Sequence, residues 1–251
     1  TTANDWYDYT NKMWANAVMV TSETRDTYMN ASAGTTISEE DILAYYVWIP
    51  RYKYQLFNVD STTIDPIEIQ IKFEEGIPNK SSGTANGEWL THPAFTLGTD
   101  ELEGIWVGKF STTGSAETPT SKPNLLPLTN QNVSTQFTTS QIFGTTTYLT
   151  STGVSEVDAH MMKNIEWGAV AYLKQSKYGL GTTDIGWNNY KSSPYLTGCG
   201  STAGSASSTT CNAYNTTDGM LASTTGNITG VYDMSAAMGT YVMGVMQDNT
   251  G

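Results

Sequence analysis

From Ile67 to Phe73 apolar and polar side chains alternate without a break. Ile67, Ile69, Ile71 and Phe73 fall on one face, and Glu68, Gln70, Lys72 and Glu74 on the other. A period of two predicts a half-buried antiparallel strand. Tyr45 to Val59, rich in aromatic and β-branched residues, predicts a second strand, with Pro50 at an edge or bulge position. Ile105-Trp106-Val107-Gly108-Lys109-Phe110 predicts a third. Ser38-Glu39-Glu40-Asp41 has the form of a capping box, so a short helix is expected to open ahead of Ile42 and Leu43. The longest helical period opens at Ser155-Glu156-Val157-Asp158. It carries acidic residues in its first turn, an apolar stripe of Met161, Ile165, Ala169, Tyr172 and Leu173, and Lys174 and Lys177 before Gly179. Residues 1–20, with Trp6, Tyr7, Tyr9, Met13, Trp14 and Val18 among small polar residues, read as a short strand or irregular segment wrapped on a core.

Between these segments the periodicity lapses twice. Residues 111–135 are Thr, Ser, Pro and Asn and read as an exposed loop or linker. Residues 180–226 return to Gly, Ser, Thr and Asn over a length that a compact domain does not leave structureless unless it carries function. Short strands, few helices and long loops together predict an α+β fold built as one elaborated domain over residues 1–251, a length that can bury a substantial core.

Charge narrows the functional classes. The net charge is −12, and the twelve Lys and Arg residues are scattered along the chain. Phosphate backbones would meet a like-charged surface with no basic stripe, which excludes a nucleic-acid partner and disfavours anionic membranes. Only 14% of residues are charged, so solubility rests on hydroxyls and amides, as on many extracellular surfaces. No apolar run approaches 18 residues, so no membrane insertion is expected of this chain. The start, Thr1-Thr2-Ala3-Asn4-Asp5, lacks the basic and apolar regions of a signal peptide and suggests a processed or trimmed form.

Cys199 and Cys211 bracket a Gly/Ser/Thr/Ala stretch that cannot fold alone. A disulfide there would close a loose loop and contribute about 3 kcal/mol, and it points to an oxidising, extracellular or cell-surface location. The other reading, reactive thiols or metal ligands, lacks a neighbouring His and a Cys-x-x-Cys spacing. His92 and His160 lie far apart with no nucleophile beside them, and no nucleophile elbow, phosphate loop, zinc spacing or EF-hand loop occurs. His160 reads as a surface or capping residue.

The least generic stretch is Thr225-Gly226-Asn227-Ile228-Thr229-Gly230-Val231-Tyr232-Asp233-Met234-Ser235. Its glycines and Asn permit a tight reversal that feeds a buried Val231-Tyr232 step. Asp233 would cap backbone amides, ligate a hard cation such as calcium, or form an ordinary Asx turn. This stretch resembles the turn of the formylglycine-generating enzyme and sulfatase-modifying-factor family, in which Asn, a spacer, Gly, a hydrophobic pair, Asp and Met follow in that order. Ile165-Glu166-Trp167-Gly168-Ala169-Val170-Ala171-Tyr172-Leu173 is similar to the same family's helix segment, and the order of the two also fits. Trp14 to Val18, Val47 to Tyr54 and Gly230 to Met234 also resemble domains carried on pilin-like surface proteins of gut Firmicutes.

That resemblance implies a C-type-lectin-like fold: a small twisted antiparallel sheet, few helices and long ordered loops. It also implies copper-dependent oxidation of a substrate cysteine, but the residues depart from the family here. Cys199 and Cys211 precede the turn instead of following it, and Ala236-Ala237-Met238-Gly239-Thr240-Tyr241 stands where the family has its Gly-Asn-Val-Trp-Glu-Trp run. The family's closing Gly-Phe-Arg signature is absent, which suggests a C-terminally truncated chain or a fold that closes differently. The expectation is therefore an extracellular, non-catalytic surface module, pilin-associated or adhesin-like. It would bind a protein or glycan through aromatic-bearing loops, with no cofactor beyond calcium at Asp233. Trp187, Asn188, Tyr190, Tyr195 and Tyr214 are the candidate contacts, or rings that only pack the loop down. The alternatives are a structural subunit of a pilus or other extracellular filament, coated through sequons at Asn30, Asn79, Asn132, Asn215 and Asn227, and a formylglycine-type oxidoreductase.

Overall fold

A computed structural model describes residues 6–56, 65–77, 87–145, 148, 157–188, 195–204, 211–235 and 238–244. The chain runs through β1 (Asn16–Val20), α1 (Ser22–Met29), β2 (Ile42–Pro50), β3 (Tyr52–Gln55), β4 (Gln70–Phe73), β5 (Leu90–Thr91), β6 (Thr96–Leu97), β7 (Asp100–Glu101) and β8 (Gly104–Gly108). It continues through β9 (Thr113–Gly114), β10 (Pro119–Thr120), α2 (Val133–Ile142) and α3 (Asn164–Lys174). Single 3-10 turns occur at Tyr9–Asn11, Pro93–Phe95 and Gly219–Ala222. The class is α+β, with small antiparallel sheets, few helices and much irregular chain.

Two three-stranded antiparallel sheets, ordered β1-β2-β8 and β4-β3-β5, meet where β2 runs into β3. Arg51 is the joint: its N–H donates to Glu103 O at 2.7 Å and its carbonyl accepts from Glu74 N at 3.1 Å, so pairing continues past the break. Its wholly buried guanidinium pairs with Glu74 at 2.8 Å and Glu101 at 2.7 Å, tying β7 and the end of β4 to this corner. The single strand expected from Tyr45 to Val59 is thus two strands about a charged hinge, and Val59 lies outside the described residues.

Alternation along β2 sends Val47 and Ile49 inward, where they meet Trp14, Tyr52, Phe95, Val107, Val170, Leu173 and Val231 in the main core. The register pairs Val47 with Val107 and Trp48 with Trp106 on opposite faces of the sheet. α3 packs onto this core through Ala169, Val170 and Leu173, and the Tyr52 hydroxyl donates to Ala169 O at 2.7 Å. Trp14 is wholly buried and donates its indole N–H to Tyr178 O at 2.8 Å, so the N-terminal segment does wrap the core.

Several expectations need correction. Ser38–Asp41 opens no helix; β2 begins at Ile42 instead. The would-be capping groups are engaged elsewhere: Asp41 accepts from the Tyr28 hydroxyl at 2.6 Å, and Ser38 Oγ donates to Glu40. The β-branched and aromatic run that follows then prefers the sheet. The alternating strand at Ile67 is shorter than its pattern, because Ile69 N and Ile67 O bond to Gln175 past the end of α3 and not to a strand. Within β4 the alternation holds, with Ile71 buried and Gln70 and Lys72 exposed. The predicted Ile105–Phe110 strand is β8, which begins one residue earlier and ends two residues earlier.

The helix expected from Ser155 starts nine residues later, with Lys163 at its N-cap, and Ser155 and Glu156 lie outside the described residues. Glu166, at the third helical position, accepts from Lys163 N at 2.7 Å and closes a capping box there. His160 therefore precedes the helix, and Ile165 is exposed instead of lying on the apolar stripe. Residues 111–135 are not a plain exposed loop: they hold β9, β10, the start of α2 and a buried Thr113 and Ser121.

Candidate functional site

The turn at 225–235 is where distant segments of the chain meet. Gly226 takes φ of 72°, and Thr229 N donates to Asn227 Oδ1 at 2.8 Å, which closes the reversal. The turn's polar atoms reach outward to the N-terminal segment: Asn227 Nδ2 donates to Lys12 O at 2.9 Å, and Thr229 Oγ1 accepts from Trp14 N at 3.0 Å. Gly230 is a packing requirement, since a Cβ there would lie 2.3 Å from Ser223 Oγ. Val231 enters the main core, and Tyr232 enters a second, smaller one with Phe110 and Ala222.

Asp233, in the left-handed region at φ 62°, is the buried polar centre of this end of the molecule. Its Oδ2 accepts from Ser111 N at 2.8 Å, just beyond β8, and its Oδ1 from Gly198 N at 3.0 Å, beside the disulfide. Asn188 Nδ2 also donates to Oδ1. One carboxylate thus joins three loops that lie 35 to 122 residues away in sequence. Burial pushes its carboxyl up to about 6 even though these donors pull the other way. The amide-capping alternative is the one its geometry matches, with both oxygens occupied by N–H donors. Among the described residues no group of three or more His, Cys, Asp or Glu side chains converges as a metal site.

The disulfide Cys199–Cys211 forms, with Cα atoms 5.2 Å apart and Cys199 wholly buried. Around it the chain is irregular but bonded: Trp187 bridges Ser201, and Gly200 bridges Asn212. Asn188 and Tyr195, with Thr197, Ser111 and Asp233, line one small cavity of about 10 Å³, the size of a single water molecule. Asn188 Oδ1 is buried there, and among the described residues it has no hydrogen-bond partner. Tyr214 stands apart from that cavity. Its ring packs edge-on against Phe110 at 5.2 Å and Tyr232 at 5.8 Å. Tyr190 lies outside the described residues. Of the five candidate contacts, Asn188 and Tyr195 are therefore brought together, Trp187 precedes Asn188 in sequence, and Tyr214 belongs to the second core.

No protein-family model matches this chain, and no curated protein does either. The functional reading rests on the arrangement of side chains.

Lys109 escaped the sequence reading, and His92 and His160, read there as isolated residues, take defined places. Lys109, 4% exposed, donates Nζ to Asn16 Oδ1 at 2.6 Å and to Ile228 O at 2.5 Å, and lies within 6.0 Å of the Phe110, Tyr214 and Tyr232 ring centres. Burial lowers its amine to about 7. It fastens the 225–235 turn to the sheet as an internal clamp. His92 sits among Tyr52, Tyr54, Phe95 and Tyr172, accepts from Ala94 N at 3.2 Å, and is lowered to about 4 by burial. His160 is raised by its hydrogen bond to Glu166 at 2.9 Å, with Asp158 on its other nitrogen, so it staples residues 158–160 to the start of α3. No sequence signal marks Lys109, because a lone lysine after a strand is ordinarily solvated.

Proposed function

We propose that the chain is an extracellular or cell-surface, non-catalytic module, pilin-associated or adhesin-like, that binds a protein or glycan through aromatic-bearing loops. Its frame would be C-type-lectin-like, of the formylglycine-generating-enzyme type. The observation that carries this reading is Asp233: the residue at the heart of the resembling turn is committed to N–H donors of three loops, the Ser111 and Gly198 backbone amides and the Asn188 side-chain amide, so its role is to hold loops in place. Small antiparallel sheets and hydrogen-bonded irregular loops support the frame. Cys199 and Cys211 are bonded to each other, which leaves no thiol pair for copper and favours binding over cysteine oxidation. Fixed loops lose little entropy when a partner docks, and Trp and Tyr supply contact area with few rotatable bonds. Alanine substitution at Trp187 and Tyr195 tests the site. Loss of binding to the partner with unchanged circular dichroism and Tm supports it, and unchanged binding removes these loops from the interface.

A second reading, a filament subunit, is favoured by one observation. Leu125, Leu126, Val133 and Phe137 are all exposed within thirteen residues of chain, apolar area that copies could cover. Electron microscopy of native material decides it: helical filaments support the subunit, and dispersed monomers exclude it.

A further inference from the structure

Among the described residues an exposed cluster of rings lies at the N-terminal segment, away from residues 187–188, 195–204 and 211–214 in sequence and in lining. Trp6 is 59% exposed and Tyr7 48% exposed. They border an open groove of about 600 Å³ shared with Asp8, Tyr9, Phe73 and Tyr178. The rings follow one another in contact across it: Trp6 to Tyr7 at 5.4 Å, Tyr7 to Tyr9 at 5.8 Å, Tyr9 to Phe73 at 5.2 Å and Phe73 to Tyr178 at 4.6 Å between centres. The loop that carries them is set before any ligand arrives. Asp8 and Met13 exchange two backbone hydrogen bonds of 2.8 Å, Lys12 turns the chain at φ 60°, and the Tyr9 hydroxyl is anchored on Trp48 O at 2.7 Å.

We propose that this groove binds a neutral saccharide. A pyranose offers an apolar C–H face and a rim of hydroxyls, and the groove has a counterpart for each. Exposed indole and phenol faces are the negative side of the ring quadrupole and attract weakly positive C–H groups. Between the rings stand polar groups with capacity to spare: among the described residues no hydrogen bond occupies the Tyr7, Tyr178 or Thr10 hydroxyl. The Asp8 carboxylate is already aimed, accepting from Asn11 Nδ2 at 2.7 Å and Asn11 N at 3.1 Å, and a carboxylate has lone pairs left for sugar hydroxyls. Its volume lies in the range of ligand clefts. Charge selects among partners: among the described residues the lining holds one ionised group, the Asp8 carboxylate, on a chain of net charge −12, while Lys177 Nζ is engaged over the Tyr178 ring at 5.0 Å, a balance that disfavours acidic glycans, nucleic acid and anionic lipid. A second copy of the same face would set Asp8 toward Asp8.

This inference rests on the binding-module reading but places the contact elsewhere, so the two can fail separately. The test is calorimetric titration of the intact, disulfide-bonded chain with cellohexaose, N-acetylchitohexaose and mannohexaose, with a hyaluronan hexamer as the acidic comparison. At least one neutral hexamer is expected to bind and hyaluronan not to. Trp6→Ala and Tyr7→Ala should each weaken binding about tenfold, the scale of one lost stacking contact. Asp8→Asn should weaken it severalfold, and Trp106→Ala, an exposed ring on β8, should not. No binding by any neutral hexamer overturns the proposal. So does binding that survives Trp6→Ala and Tyr7→Ala but falls with Tyr195→Ala, which would favour the disulfide-side loops instead. Preference for a Lys-rich peptide, or a concentration-dependent dimer abolished by Trp6→Ala in sedimentation, would assign the groove to a protein.

Discussion

At the residue scale, two buried groups oppose each other in acid. Asp233 has a folded value near 6 against an unfolded 3.8, so its contribution is fully present below about 3.8 and is lost as pH rises through 6. His92 has a folded value near 4 against 6.5, so its contribution is fully present above about 6.5 and is lost as pH falls toward 4. Each swing is on the order of 3 kcal/mol, and together they nearly cancel between pH 4 and 6.5. Separating them by substitution gives opposite slopes. In urea unfolding, Asp233→Asn should become less stable as pH falls over that range, and His92→Asn, which keeps an acceptor for Ala94 N, should become more stable. Asp233→Ala leaves the Ser111 and Gly198 amides without their acceptor and should cost about 3 kcal/mol or more at neutral pH. A smaller loss, under about 1 kcal/mol, would show that Asp233 does not hold these loops.

At the element scale, the disulfide and the glycines around it hold residues 186–188, 195–204 and 211–220 together. Cys199→Ser with Cys211→Ser should lower stability by about 3 kcal/mol, the value for a loop of this size, and Tm by roughly 6–12 °C. A Cβ on Gly186 would fall 2.1 Å from Ser201 O, so Gly186→Ala should break the Trp187–Ser201 bridge. Faster hydrogen exchange at both amides would register it. Which elements were legible follows from the same physics. The alternation around Ile71 and the apolar run of β8 are local patterns, and they lead to strands because their partners only reinforce them. Ser38–Asp41 misled because its side chains bond to Tyr28 and within the turn, tertiary choices that no window of sequence contains. α3 begins late for a like reason: His160, which falls inside the helix expected from Ser155, instead pairs with Glu166 from outside α3.

At the scale of the whole molecule, one hub and two sets of rings organise the account. The 225–235 turn was visible as a turn from Gly226, Asn227 and Gly230, but its reach to Lys12, Ser111, Asn188 and Gly198 was not, since those contacts span up to 217 residues. Asn188 and Tyr195, read as candidate contacts or packing residues, line one small cavity. Tyr214 was read the same way and turns inward, because Phe110 and Tyr232 offer it a core. Trp6 and Tyr7 were taken as core-wrapping residues; Trp14 fulfils that role, and the two earlier rings remain exposed. The central claim is that this is a binding module with no chemistry of its own. Calorimetric titration of the oxidised chain with neutral hexasaccharides, followed by mass spectrometry of the recovered sugar, tests it most directly. Saturable binding and recovery of the intact hexamer are predicted; a cleaved or oxidised product would contradict the non-catalytic reading, and no heat of binding would contradict the saccharide groove.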